Sequence, residues 1–134
     1  MPYALRPMPV VYRGMQVSED GYPLVGGTNG RMLGARPNQD LPVEDGMVQP
    51  DSGGMSVAAS IECLPYHRKP PEHGGDGVDP VWSLDTDDLG PHLNLVPKDD
   101  NDHSRGWFIE PMTQMSFDAY QDALAETRED WNRL

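Results

Sequence analysis

Cysteine, lysine, phenylalanine and long apolar runs are all scarce in this chain, and each scarcity removes a class of function. Cys63 is the single cysteine, so neither an internal disulfide nor a cysteine-based zinc site can be built. It sits in the apolar run Ile61-Glu62-Cys63-Leu64, which predicts a buried small hydrophobe. Cations number ten against twenty-two acidic residues, leaving a net charge of −12 that repels phosphate backbones and argues against sequence-independent nucleic-acid binding. Eight of those ten cations are arginines, which favour fixed, bidentate contacts over mobile solvating charge. No window approaches the length of a membrane span, and the opening MPYALRPMPVV is too broken by proline to form a signal-peptide core. The chain therefore reads as cytoplasmic, and export would have to use a route without a cleavable signal.

What the chain has in plenty is glycine and proline, fourteen of each in 134 residues. With 37% hydrophobic residues this predicts one compact domain over 1–134 with long, punctuated loops, rather than disorder. Residues 1–8 read as an extended lead-in. Strands are expected at Val10–Met15, Pro80–Leu84, Leu93–Val96 and Gly106–Met112, where β-branched and aromatic residues are bounded by glycine or proline. Between Ser18 and Asp45 only Tyr22–Val25 and Arg31–Ala35 could form short strands or a ragged helix. The final segment carries the one clear helix, with Ser116 as N-cap and Phe117, Tyr120, Leu124 and Trp131 as an apolar stripe. The sum is an α+β, strand-dominated fold without the βαβ alternation of a doubly wound sheet.

Several chemical motifs are missing. The run Gly26-Gly27-Thr28-Asn29-Gly30 lacks the Lys-Ser/Thr of a phosphate loop and reads as a mobile loop. Asp85, Asp87 and Asp88 lack the ligand order of a calcium loop. His67, His73, His92 and His103 match no ligand spacing and read as solvated, so no metal is expected.

The densest candidate is Met47–Ser60, MVQPDSGGMSVAAS. Gly53 and Gly54 permit positive φ and close approach, and Ser56 and Ser60 offer hydroxyls immediately afterwards. This is a structural glycine turn or the edge of a ligand site. Upstream, Arg13 of the first strand is a solvated charge or a guanidinium aimed into a cleft, with Tyr12 on the opposite face.

Tyr12-Arg13-Gly14, then Gly53-Gly54-Met55-Ser56-Val57, then Phe108-Ile109-Glu110-Pro111 place Arg, Ser and Glu on successive strands. In this order the chain resembles small bacterial type VI secretion effector toxins with an ADP-ribosyltransferase-like fold. The likeness extends over Pro50–Val57, Val81–Leu84, Gly90–Leu95, Ile109–Met112 and Trp131, although no Glu-x-Glu accompanies Glu110. The resemblance implies a split β-sandwich of the ADP-ribosyltransferase-toxin type, with the C-terminal helix packed on it. It implies NAD as substrate, its pyrophosphate held by Arg13, with Ser56 orienting the nicotinamide ribose. Gly53 and Gly54 would leave room for the ring, Glu110 would stabilise an oxocarbenium-like ribose, and Tyr12 or Trp107 would stack or serve as core. It also implies a macromolecular target and a cognate neutralising antitoxin protein. The alternative is a non-catalytic interaction module, phage- or secretion-associated, that keeps the fold only. A histidine-based metal hydrolase ranks behind both.

Overall fold

The computed structural model describes residues 9–134, so the expected lead-in at 1–8 lies outside the described residues. Among these residues, eight short strands and one α-helix form a mixed α+β fold. Strand β1 (Val10–Gly14) pairs antiparallel with β4 (Val81–Asp85), which also takes β8 (Asn132–Arg133) on its other edge. A second three-stranded sheet has the order β3 (Met55–Val57), β6 (Trp107–Pro111), β5 (Leu93–Pro97). A two-residue ribbon joins β2 (Met47–Val48) to β7 (Met115–Ser116).

The two larger sheets meet where β1 passes the end of β3. Tyr12 and Ala58 exchange both backbone hydrogen bonds there, at 3.0 and 2.8 Å. This corner decides where function can reside, because it sets Arg13 beside Ser56.

Alternation of side chains explains which face of each strand is dry. In β1, Val11 is buried against Leu84, its register partner, and Arg13 stands opposite Trp82 on the same face. In β3, Met55 and Val57 enter the core while Ser56 turns to the other face, opposite Phe108. The main core joins Val11, Met55, Trp82, Leu84, Leu93 and Ile109 to residues of the helix. A smaller cluster of Ala58, Leu64 and Val81, with Tyr12 and Ile61 against it, lies at the corner.

Helix α1 (Phe117–Glu126) begins as expected, with the Ser116 hydroxyl accepting from Ala119 N at 3.0 Å. It buries Tyr120, Ala123 and Leu124. The Tyr120 hydroxyl donates to Ile109 O and accepts from Met55 N at 3.1 Å, pinning the helix across β3 and β6. The expected stripe is one residue too long. Trp131 is buried in the same core but lies beyond the helix, after a 3-10 turn at Arg128–Asp130. Thr127 stops the helix: its hydroxyl bonds back to Leu124 O at 2.7 Å and accepts the Trp131 indole N–H at 3.0 Å.

Segment 18–45 forms no full strand, only isolated bridges such as Val17 with Pro23 and Val25 with Leu33. It nevertheless contributes Leu33, Ala35 and Leu41 to the core. Gln121 of the helix clamps it, accepting from Ala35 N at 2.8 Å and donating to Ala35 O at 3.0 Å. Among the described residues no helix is long and apolar enough to cross a membrane.

Candidate functional site

A cleft of about 350 Å³ opens at the β1–β3 corner. Its floor is Tyr12, Arg13, Gly14 and Ser56, and one wall is the segment Cys63–Arg68. Gly30, Arg36 and Asp40 close a second side, and Lys98 and Arg105 stand at the rim. Five of the chain's ten cations (Arg13, Arg36, Arg68, Lys98 and Arg105) therefore line one opening, with Asp40 the one carboxylate among the lining residues. In a protein of net charge −12 that concentration is the outstanding electrostatic feature.

These cations differ in how they are held. Arg13 is only 8% exposed. Its Nη1 donates to Ser56 O at 2.7 Å, its Nη2 to Met32 O at 2.9 Å and Gly30 O at 3.3 Å, and its Nε to Met32 O at 3.3 Å. Four of the guanidinium's five N–H groups thus hold backbone carbonyls, which leaves one for the cleft. Burial, with Arg68 and Arg36 nearby, lowers its pKa to about 10, so the group stays charged at neutral pH. Arg36 is neutralised by Asp40, which accepts Nη2 at 2.9 Å and Nε at 3.3 Å as well as the Arg36 backbone N–H at 2.7 Å.

Arg68 and Lys98 have no carboxylate within ion-pair distance among the described residues. Burial pulls the Arg68 pKa below its ordinary value, with Asp79 opposing the shift and Arg31 and Arg36 adding repulsion. Desolvation, reinforced by Arg13, does the same to Lys98, whose ammonium lies 5.1 Å from the Phe108 ring centre. Gly14 and Gly30 make room for this wall: a Cβ on Gly14 would lie 2.8 Å from Arg68 O, and one on Gly30 2.7 Å from Arg68 Nη2.

The remaining sequence candidates are distributed differently. Gly53 and Gly54 do not line the cleft; they serve close packing. Gly53 has φ of 115° and lies against Asp40 O, while a Cβ on Gly54 would meet Ile109 O at 2.3 Å. Glu110 is also away from the cleft lining and is 3% exposed, with Oε1 accepting from Asp51 N at 2.8 Å. Burial raises its pKa, partly offset by backbone N–H donation from Asp51 and Gly53. The glycine turn and Glu110 thus form one clasp, beside the site rather than in it. Trp107 packs on His103, ring centres 4.9 Å apart, and borders a separate apolar cavity with Leu89, Leu93 and Met112.

Cys63 is exposed and lines the cleft, contrary to the buried role its apolar run predicts. Ile61–Cys63 is a 3-10 turn, and its period of about three turns Ile61 and Leu64 inward and leaves Glu62 and Cys63 outside. The Ser60 hydroxyl lies 3.2 Å from its sulfur. Of the histidines, His67 lines the cleft, and no group of three or more His, Cys, Asp or Glu among the described residues is placed to hold a metal ion.

Sequence reasoning missed Arg36, Arg68, Lys98 and Arg105. Each sits in a connection between strands without a motif, Arg68 and Arg105 at the ends of short 3-10 turns, and the only available signal was that a cation-poor chain had placed them there. No protein-family model matches the chain, and comparison with curated proteins and with solved structures finds no match.

Proposed function

We propose that this cleft binds a phosphate-bearing nucleotide and that the protein is an effector of the ADP-ribosyltransferase-like kind, with NAD as its substrate. The observation that carries the reading is the gathering of five cations around one cleft in a strongly acidic chain. Two three-stranded sheets meeting at that cleft support the split-sandwich type. In this reading Arg68 and Lys98 draw the phosphates, assisted by Arg105 at the rim. Arg13 acts as the brace that keeps β1, Gly30–Met32 and Ser56 together, offering the ligand its one remaining N–H. Asp40 is the carboxylate nearest the bound nucleotide, since Glu110 is clasped under the Asp51–Gly53 turn. Action on a macromolecule inside a target cell, delivery without a cleavable signal and a neutralising antitoxin partner belong to the same proposal.

Calorimetric titration with NAD tests it. Wild type should bind, and Arg68→Ala and Lys98→Gln should each weaken binding. Absence of binding at millimolar NAD refutes the assignment of NAD.

A second reading has its own observation. Arg13 and Glu110 both satisfy backbone groups, as residues retained for structure do. A non-catalytic interaction module is the function that fits them. Induced expression in bacteria separates the two: growth arrest relieved by Arg68→Ala favours the effector, and harmless accumulation favours the module.

A further inference from the structure

We infer that the cationic side of the cleft also takes a terminal diphosphate, as in a nucleoside diphosphate or inorganic pyrophosphate, and holds it more tightly than the internal pyrophosphate diester of the NAD proposed above as substrate. The inference rests on the reading above that the cleft takes a phosphorylated nucleotide, and it specifies the charge and position of the phosphates.

The charge count comes first. The Arg36 guanidinium is cancelled by its bidentate partner Asp40. Arg105 has only a long contact to Asp99, at 3.7 Å, with its side chain 67% exposed. Arg13, Arg68 and Lys98 have no carboxylate partner among the described residues. The cleft lining therefore carries three cations with no direct ion pair, with a fourth loosely paired at the rim. An internal pyrophosphate diester carries one charge on each phosphorus. A terminal phosphate adds a second ionisation with a pKa of about 6, which brings a diphosphate to roughly three charges at neutral pH.

Placement agrees with the count. The three charges come from separate segments and face one space: Arg13 below, Arg68 along the wall beside Gly30, and Lys98 above Phe108. Arg13 feels repulsion from Arg68 and Lys98 feels it from Arg13, with Asp40 attracting both. An anion that touches all of them relieves that repulsion, and a terminal diphosphate can present oxygens in several directions at once. The volume of about 350 Å³ falls within the roughly 300–1,000 Å³ usual for small-molecule sites.

The test is calorimetric titration of the full chain at pH 7.5 and constant ionic strength with pyrophosphate, ADP, AMP and NAD. The expected result is that ADP and pyrophosphate bind about tenfold or more tightly than NAD or AMP. Added salt should weaken pyrophosphate binding more steeply than NAD binding, because more charge is being neutralised. Lys98→Gln changes an exposed side chain and leaves the fold intact, as unaltered circular dichroism will verify, so it provides the clean variant. It should narrow the gap between ADP and NAD, and Arg68→Ala should narrow it further. NAD binding as tightly as ADP overturns the terminal-diphosphate inference and leaves nucleotide binding standing. Binding of every ligand unchanged in both variants overturns it by placing the ligand elsewhere. Failure of all four ligands to bind overturns both readings.

Discussion

Replacing Arg13 by alanine should damage the fold far more than replacing Arg68, although both line the same cleft. Arg13 is 8% exposed and ties three carbonyls from two distant segments to β1 through four N–H···O contacts. Hydrogen bonds to a charged group contribute about 1.5–3 kcal/mol each, but contacts that share one guanidinium are not additive. Two of the four, at 2.7 and 2.9 Å, are short, and the other two, at 3.3 Å, are weak. Truncation also strands the carbonyls of Gly30, Met32 and Ser56 in a partly buried setting. Part of this loss is recovered because the buried cation no longer has to be desolvated. A net destabilisation of about 3–5 kcal/mol is expected, in the range for breaking a buried charged network. Arg68→Ala should cost under about 1 kcal/mol, since it loses no ion pair. Urea unfolding followed by the fluorescence of the three tryptophans provides both values from midpoints and slopes. An Arg13→Ala cost below about 1 kcal/mol would refute the brace. The comparison also bears on function, because lost activity in Arg13→Ala will reflect unfolding unless stability is measured alongside.

Other expectations follow from the clasp and from Cys63. Burial raises the Glu110 pKa above its ordinary 4.5, so its contribution is fully present below that pH and is lost as pH rises through the raised value. Glu110→Gln should therefore match wild type near pH 4 and exceed it in urea midpoint at pH 7; a wild type that gains on the variant between those pH values contradicts this. Gly54→Ala, whose new methyl would lie 2.3 Å from Ile109 O, should cost about 1–3 kcal/mol by forcing β3 away from β6, and an unchanged melting temperature would argue against that packing. The Cys63 thiol should react with a small disulfide reagent in the native protein, and a thiol that reacts only in denaturant would show it buried after all.

The parts of this fold legible in the sequence are those set by local pattern. Val10–Gly14, Val81–Asp85, Leu93–Pro97 and Trp107–Pro111 fall within a residue or two of expectation, because β-branched and aromatic residues ended by Gly or Pro have few alternatives. The Ser116 cap was legible for the same reason. The strands Met115–Ser116 and Asn132–Arg133 are two residues long and exist only through their partners, so no periodicity announces them. Trp131 kept its burial and lost its helix because a threonine hydroxyl was free to compete with the backbone. In the site, Arg13 reaches Ser56 through the backbone carbonyl and not through the hydroxyl that the sequence singled out. The remaining cations were illegible, since Arg36, Arg68, Lys98 and Arg105 converge only through the long loops that the two sheets hold in place. Gly53, Gly54 and Glu110, expected beside the ligand, pack together as a clasp under the turn instead, since Glu110 accepts from Asp51 N and Gly54 lies against Ile109 O.

The central claim, that the cationic cleft is the ligand site, is tested most directly by amide chemical-shift mapping of the full chain as pyrophosphate is added. The account predicts saturable shifts concentrated at Gly30, Ser56, Arg68, Lys98 and Arg105, with Gly54 and Glu110 little moved. Shifts confined to other surfaces, or none at millimolar pyrophosphate, would contradict it.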